Sequence, residues 1–321
     1  MENLIKHKER HNIVITNSVL NDGKYRRASE RWEEAKSLVV PPTPLHVDIE
    51  LTNICDLNCI MCERKFMRRK KGKMSLKMFQ HIIQECNKAG VDSAKLNLWG
   101  ESTLHKQLID MVQYAKENSP LILQFNTNAN QLTHSISEGL ISSGLDKLTI
   151  SLDGVTKKTY EKIRCGGNFD LVMSNIEALL YLKKKMNSIF PQVTLQIIQM
   201  KNNEDEILGF VDYWKDKVDR ISVTRIGATI DYDEIMKLSI EKSKSKRRVP
   251  CLQLWRRLSV FWDGAVTVCC CDYDGFLTIG DIKRNNLVEL WRSKKLNALR
   301  ERHKKLDFRG LVCERCVGTT R

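Results

Sequence analysis

Between residues 45 and 226 the chain alternates, six times over, between short runs rich in Val, Ile, Leu and Thr and longer segments between them. The runs are LHVDIEL (45–51), AKLNLWG (94–100), LILQFNT (121–127), DKLTISL (146–152), VTLQIIQM (193–200) and RISVTRI (220–226). Among the intervening segments, SLKMFQHIIQECNKAG, HKQLIDMVQYAKENSP and NFDLVMSNIEALLYLKKK have helical spacing, with Ser75 and Asn168 as N-caps and Gly90 and Pro120 as stops. Strands that alternate with helices pair in parallel through right-handed crossovers. Six units are too few for a closed eight-fold barrel, so the pattern predicts an α/β chain built on a partial (β/α)6 barrel or an open sheet, of which the partial barrel is the expectation taken forward. It divides the chain into an N-terminal helical extension (1–44, one helix near 25–38, no strand-rich segment), the barrel (45–230) and a small C-terminal domain (231–321) rich in cysteine and turn residues.

LHVDIEL runs straight into LTNICDLNCIMC, which places Cys55, Cys59 and Cys62 on the loop after the first strand. That is the carboxyl edge of the sheet, where parallel α/β folds carry their sites. No apolar run approaches the ~18–20 residues of a membrane span, and the N-terminus lacks a signal-peptide pattern, so the expected compartment is cytoplasmic. There, clustered thiols among the 11 cysteines read as metal or cluster ligands rather than disulfides. A structural zinc asks for a fourth local ligand, and the next cysteine, Cys86, lies inside a helical segment. Three thiolates on a four-iron cluster leave one iron open to a substrate or cofactor.

A second cysteine set follows residue 250. SVFW and AVTV flank Asp263-Gly264, a hairpin signal, with Cys251 before it, Cys269-Cys270-Cys271 at its end, and Cys313 and Cys316 in a C-terminal CxxC. Four of these thiols make a complete all-thiolate site, for zinc or for a fully ligated cluster. On a strand, Cys269 and Cys271 share a face, so spacing admits either.

The CxxxCxxC loop resembles the signature of the radical S-adenosylmethionine (SAM) enzymes, in which three cysteines hold a [4Fe-4S] cluster whose open iron binds the methionine part of SAM. The resemblance extends along the barrel. Gly100 and Glu101 in WGES match the turn that holds the methionine amine; Thr127 and Asn128 in NTNA match a Thr-Asn-Gly, with Ala129 in the glycine position. Ser151 and Asp153 in ISLDG match ribose-facing positions, and Arg164 matches an arginine that pairs with the methionine carboxylate. The C-terminal segment is similar to the twitch form of the SPASM domain, a β-hairpin plus helix: DGxVxxCC, then Gly280-Asp281, then a helix from Leu287 to Trp291. This implies one auxiliary [4Fe-4S] cluster on Cys251, Cys269, Cys313 and Cys316.

The resemblance implies a 5′-deoxyadenosyl radical that abstracts a hydrogen atom. A fully ligated auxiliary cluster suits electron acceptance, so the expected reaction is oxidation of a hydroxyl on a sugar or aminocyclitol. The nearest family picture is the twitch-domain dehydrogenases of 2-deoxy-scyllo-inosamine, with Asp272, then Asp274, as the base. The alternatives are a redox-neutral epimerase or dehydratase of a sugar, a maturase of ribosomally made peptides, and, in another class, a basic zinc-binding nucleic-acid protein. The formal charge of +14 is carried by short runs, RKFMRRKKGK, KSKSKRR and RSKKLNALRERHKK, with few aromatics between them. Without stacking residues this reads as solvated faces attracting acidic partners, such as an anionic substrate or a flavodoxin or ferredoxin electron donor, rather than nucleic acid.

Overall fold

The computed structural model describes residues 7–9, 12–16, 23–226, 235–240, 247–314 and 316, with side chains from residue 23 onward. The boundary expected near residue 230 and most of the KSKSKRR run lie outside the described residues. Strands β3 (His46–Ile49), β4 (Ser93–Lys95), β5 (Ile122–Thr127), β6 (Lys147–Ser151), β7 (Gln192–Gln199) and β8 (Arg220–Arg225) pair in sequence order, all parallel. Between them run α2 (Leu76–Ala89), α3 (Leu108–Asn118), α4 (His134–Ser142), α5 (Lys157–Ile163), α6 (Phe169–Lys185) and α7 (Ile207–Trp214). This is the expected partial barrel. Its helix ends follow from local chemistry: Ser75 and Asn168 accept N–H bonds from Met78 and Leu171, and Gly90 ends α2 in the left-handed region at φ 66°.

Strand burial alternates with period two. In β6 and β7 the buried residues, Leu148, Ile150, Val193, Leu195 and Ile197, join the core under the helices, while Thr149, Ser151, Thr194 and Gln196 are half-exposed on the other face. The other face is the lumen, and it is polar. β4 is shorter than AKLNLWG: the Asn97 side chain takes the Asn126 N–H at 3.0 Å, replacing the next ladder bond, and the chain bends away.

Both edges of the parallel sheet are extended. Strand β9 (Arg257–Val260) adds to β3 in parallel, and β10 (Ala265–Thr267) and β11 (Thr278–Asp281) follow antiparallel, so the C-terminal hairpin continues the barrel sheet. At the other edge, β1 (His7–Glu9) and β2 (Asn12–Thr16) form a hairpin whose second strand pairs antiparallel with β8. This corrects the expectation that residues 1–44 carry no strand. KHKERHNIVIT has too little alternation to stand out, and it is pairing with β8 that makes it a strand. Helix α1 (Gly23–Glu34) lies across the amino-terminal edge of the barrel: Tyr25 Oη donates to Asp146 at 2.6 Å, Arg31 pairs with Asp92 at 2.6 Å, and Trp32 meets His46 edge-on. Helices α8 (Leu287–Trp291) and α9 (Lys294–Lys304) complete the C-terminal region. Among the described residues no helix is long and apolar enough to cross a membrane.

Candidate active site

At the carboxyl edge a cleft of about 370 Å³ is lined by Cys55, Cys59, Cys62, Gly100, Glu101, Asn128, Ser151 and Arg164, with Trp99 and Gln196 among the other walls. The three thiols are free and half-buried. Their loop is pinned at both ends: Glu101 N–H donates to Ile54 O at 2.9 Å, and Asn58 and Ile60 donate to Cys165 O and Ile163 O. Burial pushes Cys55 up to about 12 and Cys59 up to about 11, the latter against the pull of Arg164.

Gly100 is required by proximity. A Cβ there would stand 2.0 Å from Thr52 O and 2.7 Å from Thr52 C, backbone atoms that cannot yield. Glu101 is 3% exposed, and burial raises its pKa. Its Oε1 accepts from Thr103 N, Thr103 Oγ1 and Thr127 Oγ1, whereas among the described residues Oε2 accepts only the Asn128 N–H at 2.8 Å. One oxygen therefore keeps acceptor capacity beside the thiols. Asn128 Nδ2 donates to Asp56 at 2.7 Å and approaches Cys55 Sγ at 3.9 Å. Ala129, in the glycine position of the family turn, sits at φ 61° and is fully buried. The backbone there needs the left-handed region, which explains why glycine suits it.

Asp153 does not reach the cleft as a ribose ligand would. It is fully buried, accepts the Ile198 N–H at 2.7 Å on Oδ1, and grips Arg164 on Oδ2 at 2.6 and 2.8 Å. The ion pair holds the Arg164 guanidinium above its ordinary pKa. Its Nη1 then lies 3.9 Å from Cys59 Sγ. Asp153 is thus a positioning residue for Arg164.

In the C-terminal region, burial pushes Cys313 up to about 12 and Cys251 well up, and each also feels the charges of Cys269 and Cys316. Cys269 is the member of the triple run that both Cys251 and Cys313 sense. The parity argument for Cys271 fails because the strand ends at Thr267 and the three thiols lie in a turn. Cys270 Sγ is 4.0 Å from Cys271 Sγ and senses Arg257, Asp48 and Lys95 on the lumen side. Among the described residues no three His, Cys, Asp or Glu side chains converge on a single-ion site.

Residues 49–213 match the Radical SAM superfamily. The chain belongs to that superfamily. Residues 251–317 match SPASM, an iron-sulfur cluster-binding domain, and the two matches remove the zinc-binding nucleic-acid reading. A probable GTP 3′,8-cyclase of Pyrococcus abyssi is 28% identical over 167 residues, 51% of this chain and 51% of the relative. The mycofactocin maturase MftC of Mycolicibacterium smegmatis is 25% identical over 167 residues, 52% of this chain and 41% of the relative. The matches to these curated relatives span about half their length. Among solved structures, BtrN in complex with AdoMet and 2-DOIA superposes with a TM-score of 0.57 at 14% identity, covering 85% of this chain and 92% of that one. Streptococcus suis SuiB bound to S-adenosylmethionine gives 0.65 at 16%, covering 88% and 74%. These two show the fold.

As a radical SAM enzyme with a SPASM region, the chain takes SAM, a SAM-binding [4Fe-4S] cluster and auxiliary iron–sulfur. The donor sets fit these groups: three free thiols beside an open carboxylate oxygen and a seated guanidinium, and free C-terminal cysteines of which Cys251 and Cys313 each feel the charges of Cys269 and Cys316.

The two carboxylates expected as bases are occupied. Asp272 is fully buried and accepts from Thr267 Oγ1 at 2.6 Å and from the N–H groups of Gly275, Phe276 and Leu277 at 2.7–2.8 Å. With four donors aimed at it, it organises the loop after the cysteine run and has no access to a substrate proton. Asp274 accepts the backbone N–H groups of Arg68 and Arg69, at 2.7 and 3.1 Å, and so ties this loop to the one after Cys62.

Sequence reasoning also missed Arg69, counted there among solvated charges. Its guanidinium forms a two-pronged pair with fully buried Glu50 at 2.8 and 2.9 Å, donates from Nε to Tyr273 O at 2.7 Å, and lies over the Phe261 ring. The signal was present in HVDIEL: Asp48 and Glu50 alternate with Val47, Ile49 and Leu51, marking a polar lumen face.

Proposed function

We propose that Cys55, Cys59 and Cys62 hold the SAM-binding cluster, that Cys251, Cys269, Cys313 and Cys316 hold one auxiliary [4Fe-4S] cluster, and that the enzyme oxidises a hydroxyl-bearing carbon of a sugar or aminocyclitol. The observation that carries this reading is the match of residues 251–317 to an iron-sulfur cluster-binding domain, supported by Cys251 and Cys313 each feeling the charges of Cys269 and Cys316. Four protein ligands leave no open iron for a substrate, which suits such a site to electron transfer. When bound, SAM and the clusters supply a hydrogen-abstracting 5′-deoxyadenosyl radical and a one-electron acceptor.

The chain's own residues do the rest. Glu101 Oε2 would accept from the SAM amine, Arg164 would meet its carboxylate, and Ser151 would take the ribose. The lumen wall of Gln124, Asn126, Thr149, Thr194 and Gln196 offers donors and acceptors to a polyhydroxylated molecule. With Asp272 and Asp274 committed elsewhere, the hydroxyl proton passes to Lys95 Nζ. Lys95 is registered between Asp48 and Gln124 on the lumen face, and makes no hydrogen bond or ion pair within 4 Å among the described residues. Burial lowers its pKa, which favours a neutral amine able to accept. A cytoplasmic enzyme of this kind draws its first electron from an acidic flavodoxin or ferredoxin, for which the exposed lysines after Cys62 offer complementary charge.

A redox-neutral epimerisation is the second reading, favoured by Cys270, whose thiol senses the lumen residues Lys95, Asp48 and Arg257. The test is anaerobic: iron and sulfide content, then incubation with SAM, reductant and a panel of polyols and aminocyclitols. About eight irons in the parent and about four after replacing Cys55, Cys59 and Cys62 are expected. A carbonyl product formed one-for-one with 5′-deoxyadenosine supports oxidation. An isomer carrying solvent deuterium supports epimerisation and defeats it.

A further inference from the structure

Below the cleft, the strands carry a layer of polar and charged side chains. Ser259, Asp48, Lys95, Gln124 and Lys147 stand in register across β9, β3, β4, β5 and β6, on the lumen face, while their strand neighbours fill the core. Gln124 lies two residues before Asn126, a wall of the cleft, so at ~3.3 Å per residue the layer is about 7 Å deeper. Asp48 is its one carboxylate, against the amines of Lys95 and Lys147. Glu50, two residues further along β3, is taken by Arg69.

Arg257 reaches this layer from the first position of β9. Its Nη1 donates to both oxygens of Asp48, at 3.3 Å each, and Asp48 is its one hydrogen-bond acceptor among the described residues. Its Nε is buried with no acceptor at all. Asp48 has little left to give, because Oδ2 also accepts from Ser259 Oγ at 2.8 Å and Oδ1 from His46 Nε2 at 3.3 Å. On the amino-terminal side the Trp32 ring of α1 lies 5.3 Å from Arg257 Cζ, and the thiols of Cys270 and Cys271 are close enough for their charges to be felt. A guanidinium presents five N–H donors in a planar fork, and here a single nitrogen is engaged, through two long contacts. Native proteins leave few buried donors unpaired, since each is costly. Two oxygens of one anionic group match the geometry of such a fork.

We propose that Arg257 seats an oxyanion of the substrate, a phosphate or carboxylate, at the floor of the lumen beside Lys95. This seat, which rests on the proposed reading of the lumen as the chamber for a polyhydroxylated substrate, narrows that substrate to one whose leading end is anionic. It serves whichever group takes the hydroxyl proton.

The test is calorimetric. Anaerobically reconstituted protein with SAM bound is titrated with inorganic phosphate and, separately, with acetate; the tighter of the two tells a phosphate seat from a carboxylate seat. Binding is expected to weaken about tenfold or more in Arg257→Met, and less in Arg257→Lys, which keeps the charge without the fork. Asp48→Asn removes the competing carboxylate and is expected to tighten binding. Opposite shifts from the two members of one ion pair are the mark of a shared seat, which a loss of packing does not produce. Should Arg257→Met fail to fold, Arg257→Met combined with Asp48→Asn leaves no buried charge unpaired and is likewise expected to lose the anion. Equal affinity in parent and Arg257 variants, or no binding of either anion to the parent, overturns the seat. The polyol panel, run with phosphorylated and carboxylated counterparts, separates the seat from the reaction. Uncharged polyols oxidised as fast with phosphate as without it overturn the seat and leave the oxidation standing. An anion site lost in Arg257→Met, with no polyol oxidised, keeps the seat and defeats the oxidation.

Discussion

Replacing Arg69 by methionine removes the counter-charge of a carboxylate that is fully buried, while keeping most of the aliphatic length. Breaking a buried pair from one side costs about 3–5 kcal/mol. Glu50 retains one donor, the Trp262 N–H at 3.3 Å, and has one escape, which is to take up a proton. Protonating a carboxyl of ordinary pKa costs about 1.36 kcal/mol per pH unit above ~4.3, so about 4 kcal/mol at pH 7.5 and about 1.6 kcal/mol at pH 5.5. The escape therefore caps the electrostatic part of the loss near 4 kcal/mol at the higher pH and below 2 kcal/mol at the lower. The sign follows from the direction of the shift. Burial, opposed by Arg69, already raises the Glu50 pKa, and removing Arg69 raises it further. A raised folded pKa favours the folded state below the unfolded pKa, and that contribution fades as pH rises through the folded value. Urea unfolding of metal-free Arg69→Met is expected to show a deficit of about 3–5 kcal/mol at pH 7.5, smaller by about 2 kcal/mol at pH 5.5. Adding Glu50→Gln should recover most of the deficit and flatten its pH dependence. A deficit under about 1 kcal/mol that is the same at both pH values refutes the pairing as a stabilising feature.

Four further outcomes are expected. Gly100→Ala forces the loop away from Thr52 and should abolish SAM binding in equilibrium dialysis, with about 1–3 kcal/mol of overpacking visible in unfolding. Asp153→Asn leaves Arg164 without its charged seat; SAM affinity should fall about tenfold, as expected for a residue that orients a ligand, with iron content unchanged. Asp272→Asn places an amide NH2 among N–H donors and should strip the auxiliary iron while sparing the barrel cluster, whereas a catalytic base would leave both iron counts intact. Ala129→Gly relieves ~1–2 kcal/mol of left-handed strain but forfeits about 0.8 kcal/mol of buried methyl and some unfolded-state restriction, so stability should move by less than about 1 kcal/mol.

The barrel was legible because its signals are local: six apolar runs, Ser75 and Asn168 as caps, Gly90 as a stop, and thiols directly after the first strand. The expected cofactor positions Gly100 and Glu101 lie in the loop after β4 and Arg164 at the end of α5, and the structure gathers them in one cleft. What escaped depends on partners distant in sequence. Asp272 looks like an accessible acid until the chain folds back and aims the N–H groups of residues 275–277 at it. Arg69 is indistinguishable from its basic neighbours until Glu50 and Tyr273 are brought beside it, and β2 becomes a strand only against β8. Asp153 pairs with Arg164, a partner that becomes adjacent only when the loop after α5 folds back onto the end of β6.

Arg69 spans three segments at once: its guanidinium pairs with Glu50 at the end of β3 and donates to Tyr273 O, while its own backbone N–H is held by Asp274. The loop that follows Cys62 and the loop that follows Cys271 are thereby stapled to the same strand end. Electron tunnelling decays steeply with separation, so a protein moving charge between two centres must either fix the gap or gate it by motion. In the proposed mechanism the two loops would be held at a set separation by an ion pair whose carboxylate, Glu50, is fully buried, rather than brought together by a conformational change.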